Sequence, residues 1–246
     1  MALSSRLALD SASEPAPPLI NLPDVITHRY DTVVEHIQCG PRMLSLLRVR
    51  DSNRLLDAIT PEDFAVDERL PFWADLWPAS IALAREVCLQ RSLAGKRVLE
   101  LGCGLGLAGI AAAGAGARVT FSDYEPDALL FTRFNVYTNL GEAGSASADI
   151  RLLDWRDTSL AGQYDVILGA DILYERRVFT ALAVLFRRML QTGGYVLLSD
   201  PNRSTGKEFF ASAKAQGFNV EERSADLVHH GKHHAITIAM VRLTPQ

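Results

Sequence analysis

The stretch VLELGCGLGLAGIAAA, residues 98–113, decides the fold. The apolar run Arg97–Leu101 reads as a buried strand and stops at Gly102. Glycines recur at Gly104, Gly106 and Gly109, and an Ala-rich helix start follows. Glycine lets a backbone turn sharply and come close to a ligand. A strand, a glycine turn and a helix open a βαβ unit.

The pattern continues outward. Apolar runs lie at Arg118–Ser122, Ile150–Leu153, Tyr164–Gly169 and Tyr195–Ser199, with helical stretches starting near Gly106, Pro126, Arg177 and Thr205. Continuously apolar strands fit a parallel sheet covered on both faces. Their alternation with helices implies right-handed crossovers. Phe218–Glu222 and Ala235–Leu243 have no helix between them and read as a hairpin, which adds one antiparallel strand. Upstream, Thr32–Gln38 and Met43–Arg50 flank Cys39-Gly40-Pro41 and read as another hairpin. Asp51–Ile59 reads as a short helix capped by Asp51, and a further helix is expected from Ala79 to Leu93. The expected fold is α/β: a doubly wound, mostly parallel, seven-stranded Rossmann-like sheet with one antiparallel strand, over residues 71–246. An extension with the β-hairpin precedes it at 24–70. A flexible leader carrying Pro15, Pro17, Pro18 and Pro23 occupies 1–23.

Composition narrows the function. The 246 residues are 48% hydrophobic and 22% charged, which excludes a disordered or collagenous chain. Lys plus Arg is 25 against 29 for Asp plus Glu, a net charge of −4. No basic excess supports a nucleic-acid or anionic-membrane partner. Cys39, Cys88 and Cys103 are too few and too scattered for a disulfide framework or a thiolate zinc site, and point to a reducing compartment. No apolar run approaches the ~18 residues of a membrane span, and MALSSRLALD is a poor signal peptide. A cytoplasmic monomer is expected.

Two readings of the glycine turn compete. Gly104-x-Gly106-x-x-Gly109 matches the dinucleotide fingerprint, with Asp123 placed to hold a ribose. Glu100-x-Gly102-x-Gly104-x-Gly106 matches the motif of S-adenosylmethionine enzymes. Charge separates the ligands. A pyrophosphate is disfavoured beside an acid, whereas a sulfonium and an ammonium are welcomed. The carboxyl edge of the sheet would carry Glu100, Asp123, Asp154 and Asp171, with no Lys or Arg in the glycine loop, which suits a cationic cofactor.

On these residues the chain resembles the class I (seven-β-strand) S-adenosylmethionine-dependent methyltransferases, and within them the protein-lysine methyltransferase branch. The resemblance covers roughly Pro71 to Leu243 and rests on four pieces. Trp77-Pro78 resembles the family's tryptophan over the cofactor. ELGCGLG resembles its methionine- and ribose-side loop. FSDYEP places Asp123 where the family binds ribose hydroxyls. LGADILY resembles the segment after the fourth strand, an Asp-x-x-Tyr pattern formed by Asp171 and Tyr174. LLDW adds Asp154-Trp155 where the family borders the adenine. PFWADLWPAS and SDPNR resemble the subgroup acting on an electron-transfer protein's β subunit, and LGADILYERR the subgroup acting on chaperones and elongation factors. The resemblance implies that Trp77, Glu100, Gly102, Cys103, Gly104, Gly106, Asp123, Asp154, Trp155 and Ala170 hold S-adenosyl-L-methionine. It implies that Asp171 and Tyr174 line the acceptor slot for a lysine of a protein substrate.

Methyl transfer from a sulfonium is an in-line displacement on an activated donor, so catalysis is alignment and water exclusion. The amine must be neutral, and a free lysine at pH 7 is neutral only about a few times in ten thousand. Desolvation lowers its pKa, whereas nearby acids raise it. Asp171 is therefore expected to orient the amine lone pair, with Tyr174 as an aromatic wall that favours the developing cation. The related Asn-Pro-Pro-Tyr pattern grips planar amides and bases. Here Ile172-Leu173 replaces the prolines, which favours an aliphatic amine.

Plainer readings stand beside these. Asp171 could cap a helix and Tyr174 pack. Asp123 could cap the helix at Pro126. Trp77 and Trp155 could be core, and Cys103 a small filler. A small-molecule amine or pyridine N-methyltransferase and a non-catalytic cofactor-binding protein are the alternative functions. HHGKHH, His229 to His234, is joined by no cysteine and sits in a turn, so no metal is assigned to it. If the tail hairpin closes the sheet antiparallel to its neighbours, that turn projects from the same edge as the cleft and could contact a substrate surface. Arg176, Arg177, Arg187 and Arg188 read as solvated.

A ligand that binds only the folded state raises its stability. In a thermal-shift assay S-adenosylhomocysteine should raise the melting temperature and NAD should leave it unchanged. The reverse result would restore the dinucleotide reading.

Overall fold

The computed structural model describes residues 21–57, 59, 70–90, 92–157 and 162–244. The chain opens with helix α1 (Leu22–Arg29), the hairpin β1 (Thr32–Cys39) and β2 (Arg42–Val49), and the short helix α2 (Asn53–Asp57). A 3-10 turn at Phe72–Ala74 leads into α3 (Pro78–Leu89). The βα alternation comes next: β3 (Arg97–Leu101), α4 (Leu107–Gly114), β4 (Arg118–Asp123), α5 (Pro126–Ser147), β5 (Asp149–Leu152) and β6 (Tyr164–Ala170). It continues with α6 (Phe179–Met189), β7 (Leu190–Asp200), α7 (Ser204–Ala215) and β8 (Phe218–Ser224). The small hairpin β9 (Leu227–His229) and β10 (Lys232–His234) precedes β11 (Thr237–Leu243).

The main sheet has seven strands in the order β5-β4-β3-β6-β7-β11-β8. Every pairing is parallel except those of β11, which runs antiparallel to both β7 and β8. The expected doubly wound sheet with one antiparallel strand is therefore present. Its central strands are buried on both faces, as period-two alternation demands. Val98, Val166, Leu168, Leu197 and Ile238 pack under α3, α4 and the N-terminal hairpin. Their neighbours Leu99, Ile167, Val196, Leu198 and Ala239 pack under α6 and α7.

Several boundaries differ from the sequence reading. The expected leader lies outside the described residues up to residue 20, but Leu22 and Pro23 already belong to α1, whose Leu22 and Ile26 are buried in the core. The helix expected over Asp51–Ile59 shrinks to α2. Asp51 accepts from the Asn53 amide at 3.2 Å. The helix expected to reach Leu93 ends at Leu89. β7 starts at Leu190, ahead of the expected Tyr195, and its pairing with β6 shifts register between Tyr164 and Val166. A helix α1 and the β9–β10 hairpin were not expected. No helix among the described residues is long and apolar enough to cross a membrane.

The N-terminal hairpin is not a separate unit. Ile37, Leu44, Leu46 and Val49 join the same core as β3 and α4. Asn135 and Asn139, one helical turn apart on α5, take the place of a missing strand along β2. The Leu47 amide donates to Asn135 Oδ1 at 2.7 Å and Asn135 Nδ2 donates to the Leu47 carbonyl at 3.1 Å. Asn139 repeats this pair on Ser45 at 2.8 and 2.7 Å. Asn135 Nδ2 also reaches the Leu105 carbonyl at 3.1 Å, so one buried amide ties the hairpin to the glycine turn.

Replacing Asn135 with Leu would strand the buried Leu47 and Leu105 backbone groups. Each unsatisfied group costs about 1–3 kcal/mol. Urea denaturation should show a loss of about 2–4 kcal/mol for Asn135→Leu, whereas Tyr137→Ala on the exposed side of α5 should stay within about 0.5 kcal/mol.

Candidate active site

The strands β3, β4, β6 and β7 all end at one edge of the sheet, and the loops that leave them there build the site. After β3 the backbone adopts left-handed conformations at Gly102 (φ 58°), Gly104 (φ 51°) and Gly106 (φ 80°). A residue with a Cβ would be strained at each. A Cβ at Gly102 would also lie 3.1 Å from Ile172 and 3.3 Å from the Trp155 ring. The Gly104 amide donates to Asp123 Oδ2 at 2.9 Å, and Thr132 Oγ1 donates to the Gly104 carbonyl at 2.8 Å. Gly109, the last glycine of the dinucleotide-like spacing, is required by packing. A Cβ there would lie 2.4 Å from Phe121 and 2.5 Å from Glu100 Oε2. Cys103 is buried and its thiol is pushed well up by burial, the state of an inert filler.

These loops line an open cleft. Of the twelve residues expected in the site, all but Gly106 and Asp154 line it. Gly106 sits between two lining residues, Leu105 and Leu107, as the cap of α4. Asp154 instead pairs with Arg156, whose Nε lies 2.9 Å from both its oxygens. The sequence reading missed Phe72, Asp75 and Glu125, which also line the cleft. The aromatic PFW and the acid of FSDYEP were the available signals.

Five carboxylates, Asp75, Glu100, Asp123, Glu125 and Asp171, lie along the walls, and no Lys, Arg or His does so among the described residues. Glu100 is buried. Its carboxylate accepts from the Ala108 and Gly109 amides at the start of α4, yet burial pushes its pKa up to about 8. Its Oε2 has no hydrogen-bond partner among the described residues. Asp123 is raised by the same desolvation, opposed by the Gly104 and Glu125 amides. Because it accepts from Glu125 N at 3.0 Å just ahead of α5, it both shapes the helix entry and braces the glycine turn.

After β6, Asp171 takes a left-handed conformation (φ 60°) and its amide donates to the Ser199 carbonyl at 2.8 Å. Strain of this kind on a residue other than glycine concentrates at functional sites. Asp171 caps no helix, since the next helical turn begins only at Arg176. Its Oδ1 accepts from Arg203, while its buried Oδ2 has no partner among the described residues. Arg203 lies just beyond β7, its amide donating to Asp200 Oδ1 at 2.7 Å and its guanidinium lying 3.8 Å from Asp200 Oδ2. Tyr174 meets Phe72 edge-on at 5.7 Å, and Phe72 meets Trp77 at 6.0 Å. Burial moves the Tyr174 hydroxyl to about 12, so it stays neutral. Trp77 is half-buried on the cleft wall, its Nε1 donating to the Phe72 carbonyl at 2.8 Å. Neither Trp77 nor Trp155 is enclosed core.

The cleft therefore fits a cationic, phosphate-free cofactor. The close-approach glycines admit either ligand, but the acid lining and the orphaned Glu100 Oε2 suit S-adenosylmethionine and disfavour a pyrophosphate. A cation beside Glu100 favours its charged form. Below its pKa of about 8, binding must then release a proton. Affinity for S-adenosylmethionine should rise between about pH 6 and 7.5, by up to about tenfold per unit. Calorimetry in buffers of different ionisation enthalpy would register the proton, and Glu100→Gln should flatten the profile. A wild-type affinity independent of pH would remove Glu100 from the cofactor's surroundings.

Comparison with known proteins agrees with this geometry. A family described as lysine methyltransferase matches residues 72–216. The chain is 38% identical over 159 residues to the Danio rerio protein N-lysine methyltransferase METTL21A, covering 63% of this chain and 72% of that one. It is 32% identical over 181 residues to EEF1A lysine methyltransferase 3 of Mus musculus, covering 70% and 77%. Among solved structures, magnesium protoporphyrin IX methyltransferase of Synechocystis PCC 6803 with bound S-adenosylmethionine superposes with a TM-score of 0.51. That pair shares 17% identity and covers 78% of this chain and 98% of the other, a likeness of fold. The dinucleotide reading falls away, and the chain belongs to the lysine methyltransferase family, whose cofactor is S-adenosylmethionine.

Proposed function

We propose that this protein methylates lysine side chains of a protein substrate, with Asp171, Tyr174 and Arg203 shaping the acceptor slot. The observation that carries the reading is the pairing of Asp171 with Arg203 beside an acid-lined cleft that has no basic residue on its walls among the described residues. The names of the relatives, a protein N-lysine methyltransferase and a lysine methyltransferase of EEF1A, support a protein lysine as acceptor. The free thiols of Cys39, Cys88 and Cys103 support a reducing, cytoplasmic setting.

When bound, S-adenosylmethionine supplies an activated methyl on a sulfonium. The protein's task is to present a neutral amine in line and dry. Charge is the obstacle. A lone carboxylate 4 Å from an ammonium stabilises the charged form by about 4 kcal/mol at an effective dielectric of ~20. That is about three pK units, enough to cut the neutral fraction of a lysine about a thousandfold. Arg203 offsets this, because its cation sits on Asp171 Oδ1 and neutralises the pair. Oδ2, buried and unclaimed among the described residues, remains to accept one N–H of the amine and turn its lone pair toward the methyl group. The faces of Tyr174, Phe72 and Trp77 exclude water and stabilise the cation that forms on transfer. The product proton leaves through the open mouth of the cleft.

The test is transfer of labelled methyl from S-adenosylmethionine to proteins of a whole-cell lysate. Label should enter a protein band and be recovered as methyl-lysine. Label confined to small molecules would favour the amine or pyridine alternative. Asp171→Ala should lower turnover at least about a hundredfold with cofactor affinity kept. Arg203→Met should move the pH–rate profile upward by more than about one unit. An Arg203→Met enzyme with an unchanged profile would defeat the compensation mechanism.

A further inference from the structure

The histidine run and its surroundings lie outside the cleft: neither His229, His230 nor Glu35 lines it. β9 and β10 pair with His229 opposite Lys232, so the hairpin turns on His230-Gly231. Both turn residues have positive φ, 47° and 71°, the type I′ geometry that suits a right-twisted hairpin. Successive strand residues point to opposite faces. The left-handed His230 breaks that alternation, and the two rings meet edge to face at 4.0 Å.

Glu35 on β1, 195 positions from His230, meets them there. Its Oε1 lies 2.8 Å from His230 Nε2 and 3.5 Å from His229 Nε2. One donor atom of each residue lies within 4.8 Å of the other two. A tetrahedral zinc ion with nitrogen and oxygen ligands at about 2.0–2.1 Å separates its donors by ~3.3 Å, a value these distances bracket. The other carboxylate oxygen, Oε2, accepts from Arg48 Nε at 2.6 Å. Such an outer partner orients a ligating carboxylate and leaves Oε1 for the ion. Glu35 and His229 are shielded, with 14% and 17% of their side chains exposed, while His230 at 61% leaves a path of entry.

We infer that Glu35, His229 and His230 form a zinc-class divalent-metal site that clasps the N-terminal hairpin to β9–β10. Two imidazoles and a carboxylate are a donor set that suits zinc, and water completes the fourth position. The clasp joins two hairpins that backbone pairing leaves unconnected, since each forms its own two-stranded sheet.

The test uses tag-free, chelator-stripped full-length protein titrated with Zn²⁺ against a chromogenic chelator. One equivalent should bind, and Zn²⁺ should raise the melting temperature in a way that EDTA reverses. The double change His229→Ser with His230→Ser should lose the equivalent, and Glu35→Gln should weaken it at least ~10-fold. His233→Ser with His234→Ser alters neighbouring histidines outside the trio and should keep it. The site is overturned if the wild type binds no stoichiometric zinc, or if the first double variant or Glu35→Gln binds like the wild type. It is equally overturned if the His233/His234 variant loses the equivalent, which would mark capture by surface histidines. Circular dichroism of the metal-free variants checks folding. The near-isosteric Glu35→Gln carries the test if the double variant does not fold.

Discussion

The left-handed turn at the end of β3 is the constraint on which the rest of the molecule depends. Gly102, Gly104 and Gly106 all hold positive φ, and the loop they form is gripped from three sides. Asp123 takes the Gly104 amide, Thr132 donates to its carbonyl, and Asn135 reaches Leu105. Two of these partners lie on α5, which also carries the N-terminal hairpin. The loop that approaches the cofactor is thus continuous with the core, and a substitution that strains it would loosen both. Side-chain amides serve this junction because a buried backbone group must find a partner somewhere.

The electrostatics of the cleft obey one logic in two places. Around the cofactor, carboxylates accumulate without basic residues on the walls among the described residues, and the penalty appears as the raised pKa of buried Glu100 and Asp123. A bound cation offsets that penalty. At the proposed acceptor slot the need is reversed, because an amine must shed its proton to react. There the carboxylate of Asp171 is matched with a cation, Arg203. On the proposed reading the same chemical group is left without a cation or given one according to whether a permanent or a removable positive charge is to be held.

The parallel sheet makes this division possible. Every parallel strand ends at the same edge, so residues distant in sequence converge there: Glu100 and the glycines at β3, Asp123 at β4, Asp171 after β6 and Arg203 after β7. Ligands of open α/β sheets bind at this edge for that reason. The β9–β10 hairpin comes directly after β8 in the chain, and its fold brings His229 and His230 to Glu35 on the N-terminal hairpin.

Much of this was legible along the chain. Continuous apolar runs, their alternation with helices, and the glycines after Leu101 specify the sheet and the cofactor edge through local rules: steric limits on φ and periodicity of burial. Asp171 and Tyr174 were visible as a spaced pair. What local rules could not reach was partnership. That Asp171 is held by Arg203, that Asp154 turns away to Arg156, that Asn135 stands in for a strand, and that Glu35 meets His229 and His230 depend on through-space contacts. In all but the Asp154 pair those contacts close loops of tens to nearly two hundred residues. Composition and spacing set which charges and backbone angles the chain carries. Only the packed tertiary structure decides which charge faces which, because electrostatic and hydrogen-bond energies depend on distances of a few ångströms that sequence separation does not encode.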